Sequence, residues 1–250
     1  MKTEWDYTEL AEAYLKRPDY AQTALADIFR VAEVQPGAKV ADLGAGVAHL
    51  TLPLLKQGFV VSAVEPNDAM RALGKQRTAG NDRVVWSEGT GEASGLPTGD
   101  YDLVTFGSSF NVCDRPLALK ETHRLLKPCK YFACIWNHRD VDDPIQRHIE
   151  EIIKNAIPSY GYGTRREDQT EIIAASGLFE NITPITGSIV WKQDIRDTVR
   201  AWESHGTLHR QAGDKFAGII GEIKAYLDSL GVQEIEIPYA TRGWMARRKN

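Results

Sequence analysis

The sequence predicts an α/β fold: a seven-stranded, mostly parallel sheet with helices on both faces and a helical cap. Three features point to it. From Lys39 to Trp136 short apolar runs alternate with amphipathic stretches of helical period, as in a parallel sheet covered on both sides. The first apolar run ends in Asp42-Leu43 and passes at once into Gly44-Ala45-Gly46, a strand-to-helix glycine turn. Beyond Asp140 the alternation gives way to longer helical stretches. A chain of 250 residues, 42% hydrophobic, is long enough to bury one sizeable core and a smaller appendage.

Thr8 to Val34 has helical spacing, through Leu10, Tyr14 and Leu15 and then Ala24, Leu25, Ile28, Phe29 and Val31, with a break at Arg17-Pro18-Asp19. Gln35-Pro36-Gly37 ends it. Strands are then expected at 39–43, 59–64, 84–87, 102–106 and 131–136, with helices at about 47–56, 68–77 and 115–126. Lys127-Pro128-Cys129-Lys130 turns the chain into the fifth strand. A helix at 145–156, the aromatic loop SYGYGTRRED, a helix at 169–175 and a strand at 182–191 follow. Helices at about 195–205 and 216–230 complete the cap. The closing IEIPYATRGWMARRK alternates and carries Thr, Tyr and Trp, so it reads as a strand returning to the sheet. Residues 1–140 are thus an N-terminal lid and core, 141–230 cap helices with one core strand, and 231–250 the strand that completes the sheet.

Composition narrows the function. A net charge of −4 argues against a nucleic-acid binder, whose affinity comes from clustered Lys and Arg. No run approaches the roughly eighteen apolar residues of a spanning helix, and the acidic start does not resemble a secretory leader, so a cytoplasmic protein without membrane partners is expected. Cys113, Cys129 and Cys134 form no C-x-x-C pair, which points to a reducing compartment. His205 and His209 stand four apart but lack the glutamate of H-E-x-x-H, so they read as polar helix residues and no metal site is expected.

The glycine turn places backbone N–H groups at the carboxyl edge of the sheet, where a nucleotide-like cofactor approaches. Dinucleotide binders use G-x-G-x-x-G; here the last position is His49, and Asp42 puts a carboxylate where a pyrophosphate would sit. A ligand presenting a cation suits this turn better than NAD.

VADLGAGVAHLT, VVSAVEPNDAM, GTGEASGLP, YDLVTFGSSFNVCD and LLKPCKYFACIWN, in this order and spacing, resemble the class I S-adenosylmethionine (SAM)-dependent methyltransferases, in particular the small-molecule type related to the ubiquinone/menaquinone-biosynthesis enzymes. The resemblance covers essentially the whole chain. Ala48 stands where a third glycine is usual, and Pro128-Cys129-Lys130 where Pro-Gly-Gly is usual, a departure expected to alter only the turn. The resemblance implies a Rossmann-like sheet with an antiparallel last strand, SAM as cofactor and S-adenosylhomocysteine (SAH) as product. Gly44, Ala45 and Gly46 would admit the methionine moiety, and Asp42 would bond to it directly or through water. Glu65, followed by Pro66 at the second strand's exit, would accept from the ribose hydroxyls, and Met70 would lie against the adenine. Thr90, Gly91 and Glu92 correspond to further adenine contacts, and Ser108 and Ser109 to positions beside the reacting methyl. Tyr14 and Arg17 resemble the family's segment that folds over the cofactor; Arg17 is either a partner for its carboxylate or an exposed helix-end arginine.

Methyl transfer is an in-line displacement with a good leaving group, so alignment in a water-poor pocket contributes most, and a general base is helpful rather than obligatory. His138, whose ordinary pKa lies near neutrality, is the first candidate base, and its alternative is a surface loop histidine. Tyr14 and Tyr7 are rival proton acceptors or positioning groups, and Trp5 reads as packing. Phe110, Asn111, Trp136, Tyr160 and Arg165 are candidate substrate contacts; Asn137, Arg139 and Asp140 also exit the fifth strand, and Tyr162, Trp191, Trp202, His205, His209, Tyr239 and Arg242 make the cap aromatic and mixed in charge. Trp191 and Trp202 also read as lid packing. No Asp/Asn-Pro-Pro-Tyr follows the fourth strand, and no acid cluster suggests catalytic magnesium. The expected activity is methyl transfer to an oxygen or nitrogen of a small organic metabolite. The alternative is a SAM-binding regulatory or partner protein without catalysis, for which Ala48 speaks. A nicotinamide-dependent reductase is disfavoured by Asp42 and His49. The sequence leaves the oligomeric state open.

Overall fold

The computed structural model describes residues 8–250, the side chain of Glu9 excepted, so Tyr7 and Trp5 lie outside the described residues. In chain order the elements are α1 (Ala11–Tyr14), α2 (Gln22–Val31), β1 (Lys39–Leu43), α3 (Thr51–Lys56), β2 (Val60–Val64), α4 (Asp68–Arg77), β3 (Val84–Ser87), β4 (Tyr101–Gly107), α5 (Arg115–Leu125), β5 (Leu126–Arg139), α6 (Pro144–Ala156), α7 (Thr170–Ala175), β6 (Phe179–Asp194), α8 (Ile195–Glu203), α9 (Gly206–Ala212), α10 (Phe216–Ser229) and β7 (Glu234–Arg248).

The seven strands form one sheet in the order β3-β2-β1-β4-β5-β7-β6. Neighbours from β3 to β5 run parallel, and β7 is antiparallel to both β5 and β6. This is the expected Rossmann-like sheet with its antiparallel last strand. β1 is buried at every position after Lys39 because a parallel strand is covered on both faces. One face packs on α2 and α3 through Leu25, Ile28, Leu54 and Phe59, and the other on α5 and α7 through Leu119, Leu125, Ile173, Phe106 and Phe132. Side-chain caps fix the helix starts: Asn67 Oδ1 accepts from Met70 N–H at α4, and Asp114, Asp143 and Asp194 do the same for α5, α6 and α8.

The last two strands are long. β5 pairs with β7 from Tyr131↔Arg247 to Arg139↔Tyr239, whereas β6 stays paired with β7 on to Asp194↔Glu234. The surplus ribbon rises past the carboxyl end of β5. There Ile235, Ile237 and Tyr239 join Ile149, Ile153, Val199, Trp202, Leu208, Ile219, Ile223 and Leu227 of α6 and α8–α10 in a separate apolar cluster, the core of the cap.

Two boundaries differ from expectation for physical reasons. α3 begins at Thr51 rather than near residue 47, because Gly44, Gly46 and Ala48 all hold positive φ (69°, 56° and 73°) and prolong the turn. The helix expected through residue 205 stops at Glu203, and α9 follows; His205 Nδ1 accepts from Leu208 N–H and starts this second helix. Cys129, at the departure from Pro-Gly-Gly, also takes a positive φ of 62°.

Candidate active site

The strand order reverses between β1 and β4, and the loops leaving these two strands part at that point, opening a crevice at the carboxyl edge. A cavity of about 370 Å³ fills it.

Its floor is the glycine turn. Gly44 and Ala45 donate their N–H groups to Val64 O at 2.8 and 3.0 Å, tying the turn to the end of β2. A Cβ on Gly44 would lie 2.4 Å from Ser109 Cβ, so only glycine lets the loop after β4 close on the turn. Ser109 Oγ donates to Leu43 O at 2.6 Å and locks that contact. Asp42 is fully buried beneath, accepting from Thr51 Oγ1 at 2.7 Å and Thr105 Oγ1 at 2.9 Å. Burial pushes its carboxyl up to about 6, against the two hydroxyls, which favour the charged form. Glu65 bridges the turn to α4: its carboxylate accepts from Gly46 N–H and Asn67 N–H, both at 2.8 Å, and burial raises its pKa against those two bonds. Each of its oxygens keeps a second lone pair. Met70 Cε approaches Gly46, and Glu92 accepts from Asp114 N–H at 2.7 Å to fix the loop after β3.

The roof comes from the N-terminal segment and the cap. Asn137 Nδ2 donates to Pro18 O and Asp19 O at 3.2 and 2.9 Å, and Ala21 N–H donates to Thr241 Oγ1, which donates on to Asn137 Oδ1 at 2.5 Å. Arg17 lies over the Tyr14 ring at 3.8 Å and donates to Ser204 through Nε and Nη2. Lys16 pairs with Asp197 at 2.9 Å. The segment is thereby strapped to α8. Tyr20 OH meets Ser108 Oγ at 3.0 Å, and Ser108 takes a positive φ of 61°.

The cavity brings together Tyr14, Arg17, Asp42, Gly44, Ala45, Gly46, Glu65, Pro66, Met70, Thr90, Gly91, Glu92, Ser108, Ser109, His138 and Arg165, all singled out by the sequence. Four of the proposed substrate contacts fall elsewhere. Phe110 is fully buried among Phe106 and Phe132, and Trp136 is fully buried in the same cluster, so both are core side chains. Asn111 accepts from Trp136 Nε1 at 2.7 Å and does not line the cavity. Tyr160 packs in the cap core beside Tyr162.

The surroundings of His138 speak against its acting as a base. Burial, and then Arg165, Arg166 and Arg242, push its imidazole down to about 3, so it is neutral at physiological pH and a weak proton acceptor. Tyr20, His49 and Arg166 line the cavity without having been proposed as contacts. The proline-flanked Asp19-Tyr20 step and the doubled arginine in the SYGYGTRRED loop were the available signals. His49 has both ring nitrogens turned to protein, Nε2 at 3.0 Å from Tyr14 O and Nδ1 at 3.7 Å from Asp19.

This floor suits the expected cofactor. The backbone is open where a Cβ would block it, and Asp42, Glu65, Glu92 and Asp114 gather acids at one end of the cavity, where a sulfonium, an ammonium and ribose hydroxyls find acceptors.

Residues 41–134 match the family model described as a methyltransferase domain. The chain is 34% identical over 209 residues to an uncharacterised methyltransferase of Schizosaccharomyces pombe, covering 81% of this chain and 79% of that protein. It is 32% identical over 109 residues to a ubiquinone/menaquinone-biosynthesis C-methyltransferase of Rubrivivax gelatinosus, covering 42% of each chain. The match thus spans less than half of that relative's length. Among solved structures, phosphoethanolamine N-methyltransferase 2 of Haemonchus contortus, in complex with phosphomonomethylethanolamine and SAH, superposes with a TM-score of 0.54 at 15% identity over 91% of this chain and 52% of that one. At that identity the likeness is one of fold.

Proposed function

The chain belongs to the class I SAM-dependent methyltransferases related to the ubiquinone/menaquinone-biosynthesis enzymes, and from that premise we propose that it methylates an oxygen or nitrogen of a small organic metabolite. The observation that carries the reading is the single cavity that joins the glycine turn and Glu65 to the aromatic underside of the cap. When bound, SAM supplies an electrophilic methyl and a neutral thioether leaving group.

Glu65, fixed by Gly46 and Asn67, would hold the ribose hydroxyls with its remaining lone pairs, and the backbone of Gly44-Ala45-Gly46 would admit the methionine portion. Met70 and the Thr90-Gly91-Glu92 loop line the cavity and would border the adenine. Asp42, held by Thr51 and Thr105, acts by placing negative charge under the turn and is a positioning residue. Ser108 and Ser109, fixed by Tyr20 and by Leu43 O, would border the reacting methyl. The N-terminal segment, strapped to the end of α8, would limit the access of water, the condition under which alignment lowers the barrier most. Ala48 keeps the left-handed backbone of the usual glycine, so the substitution that spoke for a non-catalytic SAM-binding protein leaves the turn intact.

The test is transfer of a labelled methyl group from SAM to a panel of small metabolites bearing hydroxyl, carboxyl or amine groups. Incorporation that is abolished by Glu65→Ala is expected. Incorporation only into protein or nucleic acid would overturn the reading.

A further inference from the structure

The cavity is polarised. Among the described residues, its four carboxylates, Asp42, Glu65, Glu92 and Asp114, lie at the end of β1 and on the loops after β2 to β4, whereas its guanidinium groups, Arg17, Arg139, Arg165 and Arg166, belong to the N-terminal segment, the end of β5 and the cap. A cationic cofactor accounts for the first end. Arg17 is committed to Ser204, and the one carboxylate of SAM is too little negative charge for the remaining three arginines.

Arg139 and Arg165 form no ion pair among the described residues, and the Nε of each is buried without a hydrogen-bond partner. Three more buried polar atoms of the same wall are unpartnered: His138 Nδ1, Trp202 Nε1 and Tyr239 OH. Buried polar atoms are nearly always satisfied in a folded protein, so this wall carries a surplus of polar atoms without a protein partner on residues that line one cavity. The arginines are held in place. Arg139 stacks on the Trp202 ring at 3.9 Å, and Arg165 Nη2 donates to Asn137 O at 2.8 Å. Mutual repulsion within the group shows in Arg165, whose basicity is lowered by burial and then by Arg17.

Among the described residues, the histidines of the cavity leave little to take a proton. His138 and His205 are held neutral with depressed basicity, chiefly by burial, and His205 Nδ1 is engaged by Leu208 N–H. The nitrogens of His49 face Tyr14 O and Asp19. An alcohol or ammonium acceptor must lose a proton, whereas a carboxylate arrives as a nucleophile.

We infer that the methyl acceptor is a small carboxylic acid, bound as its anion against Arg139 and Arg165, and that a carboxylate oxygen receives the methyl group. The inference rests on the methyl-transfer reading above and narrows its acceptor. The carboxylate oxygen bonds to the methyl carbon as the carbon–sulfur bond breaks, and the electron pair passes to sulfur. The anionic and sulfonium charges cancel, a neutral ester and SAH result, and no proton moves.

The test uses the full chain, SAM labelled in its methyl group, and a panel of mono-, di- and tricarboxylic acids, their amides, and phosphate monoesters bearing an amine. Methyl esters release volatile methanol in alkali, whereas methyl ethers and N-methyl products do not. Alkali-labile label from at least one acid and none from its amide is expected. Arg139→Met and Arg165→Gln should each lower kcat/KM for that acid by about tenfold or more, with Arg139→Lys intermediate and SAH affinity, measured by calorimetry, kept within about twofold. Alkali-stable products only, transfer confined to the phosphate-bearing amines, or no acid methylated would overturn the inference. Loss of SAH binding in folded arginine variants would do so too, by assigning these residues to the cofactor's own carboxylate. Failure of the wild-type protein to bind SAH would instead overturn the cofactor reading, and this inference with it.

Discussion

Replacing Asp42 by asparagine should stabilise the ligand-free protein, and more so as pH rises. The wild-type carboxylate is fully buried with two hydroxyl donors, and burial outweighs them enough to raise its pKa to about 6 from 3.8. Because the folded value lies above the unfolded one, protonation favours the folded state. That contribution is complete below the unfolded value and is lost as pH rises through about 6. Integrating the linkage, ionised Asp42 costs about 1.5 kcal/mol at pH 5 and about 3 kcal/mol at pH 8. Asparagine carries no such penalty. One of Thr51 and Thr105 keeps donating to its Oδ1, while the other rotates to accept from Nδ2. The stability gap between Asp42→Asn and wild type should therefore widen by about 1.5 kcal/mol between pH 5 and pH 8. Urea unfolding of both proteins without cofactor at the two pH values measures it. A gap that is constant with pH, or a variant less stable at pH 8, would refute the argument that a buried, under-compensated charge lies beneath the turn.

Gly44→Ala forces a Cβ into Ser109 at a positive φ and should lower SAH affinity by at least about tenfold, whereas Gly231→Ala, which meets nothing within 4 Å, should leave it unchanged; equal affinities would contradict the cradle. Cys129→Gly relieves a φ of 62° and should raise stability by about 0.5–1 kcal/mol, a melting-temperature gain of about 2–4 °C per kcal/mol by calorimetry; a lower melting temperature would contradict it. Phe110→Ala should cost about 3–5 kcal/mol of stability, and the milder Phe110→Leu should leave the acceptor KM unchanged, since the ring is core. With its imidazole near 3, His138 should contribute no titration to kcat/KM between pH 6 and 9, and His138→Gln should retain activity within about tenfold. A hundredfold loss that also removes a limb near pH 6.5 would restore it as the base.

The cofactor half of the molecule was legible because its signals are local. The run into Asp42 is buried on both faces, the glycines that follow take the φ values only glycine adopts easily, and Glu65 sits at a strand end that register with β1 places beside the turn. The acceptor half was less so. Trp136 and Asn137 are adjacent at the end of β5, yet alternation sends one into the core and the other to the roof, and position in the chain does not say which face is which. Phe110, in a 3-10 turn just after β4, was misplaced because leaving the strand next to Ser109 does not say whether its ring turns to the cavity or back to the core. The base assigned to His138 rested on an ordinary pKa, which burial and then three arginines distant in sequence lower. α9 was invisible because histidine is not among the usual capping residues. The basic end of the cavity is assembled from positions 17, 139, 165 and 166, which only the tertiary fold brings together.

The most direct test of the account's centre, cofactor binding at the glycine turn, is calorimetric titration of wild type and Glu65→Gln with SAM, SAH and NAD in parallel. Micromolar binding of SAM and SAH by wild type, a loss of at least about tenfold in a Glu65→Gln protein that melts normally, and no heat from NAD are expected. Binding of NAD with silence from SAM and SAH would contradict the site assigned to Gly44, Gly46 and Glu65.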